Sequence, residues 1–148
     1  MLASHNNCRA LVPHQRQFSD EQLRAIFARG GVIGAAFDIW MVTPNWRAGH
    51  QNNENVFIGD VVNHIDHICQ LAGNARHVAL GTDLDGGFGR EQSPRDLDTI
   101  ADLQQIPEIL GERGYKENDI RAICSGNWLR LLHDSIVTRD DRMMRCWG

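Results

Sequence analysis

The feature that most constrains the fold is a pair of short apolar runs separated by an amphipathic segment. Residues 32–37 (VIGAAF) and 77–81 (HVALG) are too short for typical helices and show no polar–apolar alternation. Such runs are typical of strands buried on both faces of a parallel sheet. Between them, apolar residues recur from Val61 to Ala72 at the spacing of one helix face and stop at Gly73. This strand–helix–strand order predicts an α/β fold.

Capping residues predict where further helices begin. Ser19 and Gln22 have the spacing of a capping box before a helix that stops near Gly30. Ser93–Pro94 combines an N-cap serine with a proline suited to the first helical turn, and this helix is expected to run toward Pro107. Two more helical segments are expected later in the chain, at 119–124 and 128–132.

The two ends of the chain are expected to differ in structure. Leu2–Ala3 is interpreted as the last part of a third strand that ends at Ser4–His5. From Thr138 onward the sequence is polar, so we expect one domain over 1–137 and a polar tail over 138–148. The 148 residues are too few to close a complete eight-stranded α/β barrel, which needs about 250 residues.

Composition excludes several classes of protein. The 15 Lys and Arg residues against 19 Asp and Glu give a net charge of −4, which argues against nucleic acid or an anionic membrane surface as the main partner. No apolar run approaches the roughly 20 residues of a membrane-spanning helix, and the first residues lack the features of a signal peptide. The four cysteines have no CxxC spacing, so we expect reduced thiols and a cytoplasmic location.

Three polar residues near predicted strand ends are candidates for chemistry. Asp83 follows an apolar strand directly, where parallel α/β folds build their sites, and could bind a metal, transfer a proton or only cap its own turn. His5 could bind a metal or lie in an unstructured terminus. Arg16, in a polar loop, could hold a substrate carboxylate or be a solvated surface arginine.

Two other groups of residues have competing interpretations. His64 and His67 have a spacing found in metal sites, but at about 100° per residue His67 points away from the apolar stripe and His64 lies at its flank. We therefore interpret this HIDH segment as structural. Trp40 and Trp46 lie in a long polar connection over 38–58, and they could wall a pocket or only cover the end of the sheet.

Several motifs occur together in one order: 4–10 (SHNNCRA), 13–16 (PHQR), 30–34 (GGVIG), 64–68 (HIDHI) and 81–86 (GTDLDG). Together they resemble the membrane (renal) dipeptidase family of zinc peptidases, in particular its bacterial amidohydrolase-like members. The resemblance implies the C-terminal portion, about strands six to eight plus helices, of a TIM-like (β/α)8 metal-dependent hydrolase barrel. It also implies hydrolysis of dipeptides or related amides with two zinc ions.

The resemblance assigns a role to each candidate residue. His5 matches a zinc ligand after the sixth strand, Arg16 matches the arginine that binds the substrate's terminal carboxylate, and Asp83 matches the aspartate that serves in proton transfer. The HIDH segment matches a part of the family that binds no metal. The family's other ligands lie in its N-terminal part and have no match here. Because zinc takes three or four protein ligands, we expect the isolated chain to be inactive.

Two alternatives to a dipeptidase stay open. The chain could be a non-catalytic subunit whose barrel is completed by a separate N-terminal half, with a homo-oligomer as a further arrangement. It could also belong to an amidohydrolase that acts on another amide, such as an acylated amino acid. As a hydrolase, the chain is expected to bind a small dipeptide-like substrate, and in every case we expect no nucleic acid and no membrane segment.

Overall fold

Three parallel strands lie at the centre of the computed structural model, which describes residues 1–47, 49–50 and 52–145, the last eight of them as backbone alone. The strands are β1 (Leu2–Ala3), β2 (Val32–Ala35) and β3 (Val78–Leu80), in the order β1-β2-β3. In the register of the sheet, Ala3 lies beside Ile33 and Ile33 beside Val78. The predicted α/β class and the third strand are thus confirmed, whereas the number of each strand within a barrel stays a prediction.

Helices surround this sheet. They are α1 (Asp20–Phe27), α2 (Ile39–Val42), α3 (Ile58–Ala72), α4 (Gln105–Glu112), α5 (Glu117–Arg121) and α6 (Asn127–Arg145), with 3₁₀ segments at Arg90–Gln92 and Ile100–Gln104. A π-helical turn (Ala122–Gly126) joins α5 to α6. The two helical segments predicted near the end of the chain are therefore parts of one long helical run.

Local capping chemistry sets the ends of α1 and α3 as the sequence predicts. Ser19 Oγ accepts a hydrogen bond from Gln22 N (3.3 Å), and Gln22 Oε1 accepts one from Ser19 N (2.9 Å). These two bonds satisfy backbone N–H groups that have no partner inside the helix. At the end of α3, Gly73 adopts a left-handed conformation (φ 69°), which glycine enters without steric cost.

The prediction that a helix begins at Ser93–Pro94 is wrong. The next helical segment begins at Ile100, and the turn before it has a tertiary role. Asp96 Oδ1 accepts a hydrogen bond from Ile58 N (2.8 Å), which caps α3 from a distant part of the chain. Pro107 lies in the first turn of α4, where its missing N–H costs little. Capping rules that use neighbouring residues alone do not foresee such a long-range cap.

The core lies between the sheet and its helices. Apolar side chains of β2, β3 and α3 fill it, together with residues of α1 and α4. The largest fully buried side chains include Phe37, Leu23, Ile33, Ile39, Met41, Ile65, Ile68, Ile106 and Leu110. All four residues of β2 are buried, as the continuous apolar run predicts for a strand covered on both faces. This packing fixes the strand ends that carry the candidate residues.

The last helix extends further than the sequence suggests. α6 continues through Arg145, so much of the predicted polar tail over 138–148 has a helical backbone. Residues 146–148, Cys146 among them, lie outside the described residues, and the domain boundary at 137 stays a prediction. Cys8, Cys69 and Cys124 are free thiols. In the part of the chain that the structure describes, no helix has the length and apolarity needed to cross a membrane.

Candidate active site

The carboxyl ends of β1 and β3 bring His5 and Asp83 together. His5 Nε2 lies 3.8 Å from Asp83 Oδ2, and the two side chains are 36% and 29% exposed. Ser4 Oγ lies 2.9 Å from His5 Nδ1 on the other side of the ring. A substrate arriving from solvent can therefore reach both groups. Their roles as metal ligand and proton carrier stay predictions.

Two glycines allow the strand ends to approach each other this closely. A Cβ atom on Gly34 or on Gly81 would lie 2.0 Å from the backbone oxygen of Ser4. No side chain larger than hydrogen fits at either position. The position of His5, which directly follows Ser4, thus depends on a glycine in β2 and on a glycine directly after β3.

Asp83 has a backbone conformation that is uncommon for a residue with a side chain. Its φ is 58°, in the left-handed region, which aspartate tolerates better than most residues. Gly86 N donates to Asp83 O (2.9 Å) and closes the turn. A Cβ on Gly86 would lie 2.8 Å from both Asp83 O and Asp83 Oδ1. This turn aims the carboxylate at His5, and uncommon conformations of this kind cluster at functional sites.

Arg16 lies in the loop between β1 and α1, and its side chain is exposed. Its backbone is held in place: Arg16 N donates to His14 Nδ1 (3.2 Å), and Asn6 Nδ2 donates to Arg16 O (3.3 Å). Within the described residues, no hydrogen bond or ion pair engages the guanidinium. The structure does not bring Arg16 into contact with His5 or Asp83, but it ties the Arg16 backbone to the residue that follows His5.

Buried amide side chains, which the sequence reasoning missed, hold this loop against the sheet. Asn7 is fully buried; its Nδ2 donates to Ala36 O (3.0 Å) and its Oδ1 accepts from Ala36 N (2.9 Å). Gln17 Nε2 donates to Met41 O (2.9 Å), and Gln17 Oε1 accepts from Asn7 N (3.0 Å). Because buried amides are costly unless hydrogen-bonded, these contacts fix the loop. No periodicity or motif in the sequence signals them.

Arg9 also holds this loop in place, and the sequence reasoning missed this residue as well. Its guanidinium donates to three backbone carbonyls, those of His14 (3.3 Å), Gln15 (2.9 Å) and Gln17 (2.6 Å). One planar group with five N–H donors can satisfy several carbonyl groups at once. Arg9 is therefore a structural arginine, in contrast to the exposed Arg16.

Asp38 is a second acidic residue at this end of the sheet, besides Asp83, and the sequence reasoning did not select it. It follows β2 and is only 7% exposed. Trp40 Nε1 donates to Asp38 Oδ2 (2.6 Å), and Gln92 Nε2 donates to Asp38 Oδ1 (2.8 Å). Burial raises the pKa of Asp38 above its usual value; the two hydrogen bonds lower it, and the Asp83 carboxylate raises it further.

Both tryptophans line a groove beside these residues. Its volume is about 600 Å³, and its walls include Trp40, Trp46, His14, Pro44 and Gln92. The Trp40 and His14 rings meet edge to face, with centroids 5.1 Å apart. Both tryptophans thus contribute to the wall of a groove, and Trp46 also packs against the core.

The HIDH segment is structural, although its two histidines lie differently from the expectation. His64 is fully buried, not at the flank of the apolar stripe. Its Nδ1 accepts from Cys8 N (3.1 Å) and its Nε2 donates to Val42 O (3.2 Å), and burial lowers its pKa to about 4. His67 Nε2 bonds Asp20 Oδ1 (2.7 Å) instead of facing solvent alone. Both differences result from contacts with neighbouring elements, which helical periodicity cannot predict.

The described residues do not fit a zinc site by themselves. Among the residues that the structure describes, no three His, Cys, Asp or Glu side chains are placed to share a metal ion. His5 and Asp83 supply at most two ligands, whereas zinc takes three or four protein ligands. A complete metal centre would need ligands beyond those that the described residues bring together.

Comparisons with known proteins point to one family. The model of the family "Membrane dipeptidase (Peptidase family M19)" matches residues 1–142. An uncharacterized protein in the pqqA 5' region of Klebsiella pneumoniae is 34% identical over 132 residues, which cover 89% of this chain and 45% of that protein. Dipeptidase aclJ of Aspergillus oryzae is 28% identical over 134 residues, which cover 90% of this chain and 29% of that protein.

A solved structure is similar in both sequence and fold. It is a metallo peptidase from Rhodobacter sphaeroides liganded with a phosphinate mimic of the dipeptide L-Ala-D-Ala; it is 28% identical, with a TM-score of 0.73 over 89% of this chain and 35% of that one. The chain thus spans less than half the length of these relatives. Because the family model covers nearly all of the sequence, the chain belongs to the membrane dipeptidase family, peptidase family M19.

Proposed function

We propose that this chain is the portion of a metallodipeptidase-like hydrolase that carries the proton-transfer carboxylate and the substrate-binding arginine. The observation behind the proposal is the pairing of His5 Nε2 with Asp83 Oδ2 at 3.8 Å, at the carboxyl end of a parallel sheet. Family membership favours dipeptides or related amides as substrates. In this proposal the strands β1, β2 and β3 are strands six to eight of a TIM-like (β/α)8 barrel.

Asp83 is proposed to move the proton during hydrolysis. Water adds to the amide carbon, the C–N bond breaks, and the proton released by the water passes through the Asp83 carboxylate to the leaving amine. The part-exposed carboxylate and the adjacent His5 suit this role. The turn closed by Gly86 aims the carboxylate in a fixed direction.

Arg16 is proposed to recognise the free carboxylate of the substrate. A guanidinium binds a carboxylate through two parallel hydrogen bonds, which Lys cannot reproduce. Two features of Arg16 support this role: its backbone is anchored, and its exposed guanidinium has no hydrogen bond or ion pair within the described part of the chain. Such a contact would favour dipeptides over longer chains, since only the last residue of a peptide carries this group.

The isolated chain is proposed to lack activity because its zinc ligand set is incomplete. We expect the purified chain to contain no stoichiometric zinc and to leave L-Ala-D-Ala intact. Zinc content by mass spectrometry and hydrolysis by an amine assay check this. Tight binding of two zinc ions by the purified chain would show that the ligand set is complete and that this part of the proposal is wrong.

The family-level function is tested by supplying the other ligands. The chain is co-expressed with an N-terminal part of the Klebsiella pneumoniae relative; we call the resulting complex the assembled enzyme. We expect it to bind zinc and to hydrolyse L-Ala-D-Ala, and we expect Asp83→Asn to lower turnover by orders of magnitude without releasing the metal. An assembled enzyme that binds zinc and hydrolyses acylated amino acids but no dipeptide would support the amidohydrolase alternative instead.

The second candidate function is that of a non-catalytic subunit completed by a separate N-terminal half. The apolar surface at the β1 edge favours it: Met1 is 57% exposed, and Leu2 and Leu132 are each 55% exposed. The other edge is capped, because Asn127 Nδ2 donates to Val78 O (2.8 Å) and Trp128 Nε1 donates to Leu80 O (2.9 Å). A sheet with one open apolar edge invites a further strand.

The solution mass of the purified chain separates these arrangements. A complementing half or a second copy that covers the β1 edge predicts a larger species or poor solubility for the chain alone. Light scattering on the purified chain measures this mass. A stable, well-folded monomer of 16.7 kDa would count against the need for a partner at this edge.

A further inference from the structure

One buried carboxylate, which the proposed function leaves unused, connects two loops of the site. Asp38 is 7% exposed, and both of its oxygens are engaged. Oδ2 accepts from Trp40 Nε1 at 2.6 Å, and Oδ1 accepts from Gln92 Nε2 at 2.8 Å. Asp38 follows β2, whereas Gln92 belongs to the segment that begins with Asp83. A single side chain therefore connects the loops that follow two neighbouring strands.

The contacts continue from Trp40 to the loop of Arg16. The rings of Trp40 and His14 meet at a centroid distance of 5.1 Å and an angle of 76°. His14 Nδ1 in turn accepts a hydrogen bond from Arg16 N (3.2 Å). His14, Trp40 and Gln92 all line the groove of about 600 Å³. A continuous chain of contacts thus joins the three loops around this groove.

We propose that Asp38 is a positioning residue that sets the width of the groove by holding Trp40 and Gln92 at the same time. Two N–H donors converge on it, and a carboxylate offers an acceptor to each, whereas an amide offers one acceptor and one donor. This inference concerns the geometry of the loops and goes beyond the proposed reaction, so its test requires no measurement of hydrolysis.

The cost of burying this carboxylate supports the proposal. Burying a charge is unfavourable unless hydrogen bonds or an opposite charge compensate. Within the described residues, Asp38 forms no ion pair with an arginine or lysine, so the hydrogen bonds from Trp40 and Gln92 provide the compensation. Hydrogen bonds to a charged acceptor are also the stronger ones. Both loops are consequently fixed relative to β2.

The test compares Asp38→Asn, Gln92→Glu and the double variant of the full chain. The first readout is the indole N–H resonance of Trp40 in nitrogen-15 NMR spectra, assigned by its loss in Trp40→Phe. The second is the rate of tryptic cleavage after Arg90, which lies beside Gln92. In the double variant the new amide donates to the new carboxylate and still accepts from Trp40, so the hydrogen-bond pattern is restored.

We expect cleavage after Arg90 to be about ten-fold faster in each single variant, because each variant loses one charge-assisted hydrogen bond. Asp38→Asn should also move the Trp40 resonance, and the double variant should bring both readouts back toward the wild type. Gln92→Leu should speed cleavage while leaving the Trp40 resonance in place, which keeps the proposal testable if Asp38→Asn fails to fold. Glu112→Gln, at an exposed carboxylate on α4, is the charge-matched control and should change neither readout.

Three results would overturn the proposal. The first is a Trp40 indole resonance that is absent from the wild-type spectrum or unaffected by Asp38→Asn. The second is equal cleavage after Arg90 in the wild type and in Gln92→Leu. The third is a double variant that resembles the more damaged single variant, since direct pairing of the two side chains predicts rescue.

Discussion

His5 Nε2 lies 3.8 Å from Asp83 Oδ2, although the two residues follow the first and the last strand of the sheet. Because the strands are parallel, the carboxyl ends of β1 and β3 lie at the same end of the sheet. Close approach of the backbones at Gly34 and Gly81 then brings these ends within reach of each other. The pair is the geometric basis of the proposed hydrolase.

Asp83→Asn should lower kcat of the assembled enzyme by about two to four orders of magnitude, the usual contribution of a group that transfers a proton. The amide keeps the shape of the side chain but cannot accept the proton. Steady-state kinetics with L-Ala-D-Ala measure the effect. Asp85→Asn, an exposed residue on the same turn, is the control and should retain turnover. Near-normal kcat in Asp83→Asn would remove Asp83 from the mechanism.

Arg16→Lys should raise KM for dipeptides by about ten-fold or more with a smaller effect on kcat, because a point charge replaces a bidentate contact. The increase should disappear with a methyl ester substrate, which lacks the free carboxylate. Arg24→Lys on α1, where the side chain is exposed, serves as the matched control. An equal loss with the ester and the free acid would contradict the proposed role of Arg16.

Gly34→Ala and Gly81→Ala should each destabilise the fold by roughly 3 kcal/mol or more, because the new Cβ meets backbone that cannot move aside. The Cβ would lie 2.0 Å from Ser4 O in both variants. Urea denaturation followed by circular dichroism measures the free energy of unfolding. Gly59→Ala is the matched control: it lies in α3, the nearest atom is 3.9 Å away, and it should be neutral or stabilising by up to about 1 kcal/mol. Equal stability of all three variants would contradict the close approach.

His64 should make the fold lose stability as the pH falls from about 6.5 toward 4. Burial holds its folded pKa at about 4, below the ordinary value of 6.5. In this window the unfolded chain binds a proton that the folded chain does not, so unfolding is favoured by up to roughly 3 kcal/mol. Above pH 6.5 this contribution is constant.

His64→Gln separates this effect from general acid denaturation. The variant should be less stable than the wild type at pH 7.5, because two buried hydrogen bonds change, and it should lose less stability between pH 6.5 and 4. Urea denaturation at several pH values gives both curves. His133→Gln, an exposed histidine on α6, should follow the wild-type curve. Parallel curves for the wild type and His64→Gln would rule out titration of His64 as the cause.

Local sequence signals predict those parts of the fold that depend on neighbouring residues. The capping box at Ser19, the stop of α3 at Gly73 and the buried run of β2 all agree with the structure. The helix expected at Ser93–Pro94 does not form, because that turn instead supplies Asp96 to cap α3. The capping pattern is present there, but a contact with a distant element decides its use.

The sequence by itself determined the strand–helix–strand order and placed His5 and Asp83 at strand ends, because apolar periodicity and turn chemistry are local properties of the chain. The resemblance of its motifs further identified the family and selected Arg16. Only the tertiary structure decided that Ser4 packs against Gly34 and Gly81, that His64 bonds Cys8 N and Val42 O, and that Asp38 holds both Trp40 and Gln92. These contacts join residues far apart in the chain, and their energies depend on burial and hydrogen-bond direction, which no local pattern encodes.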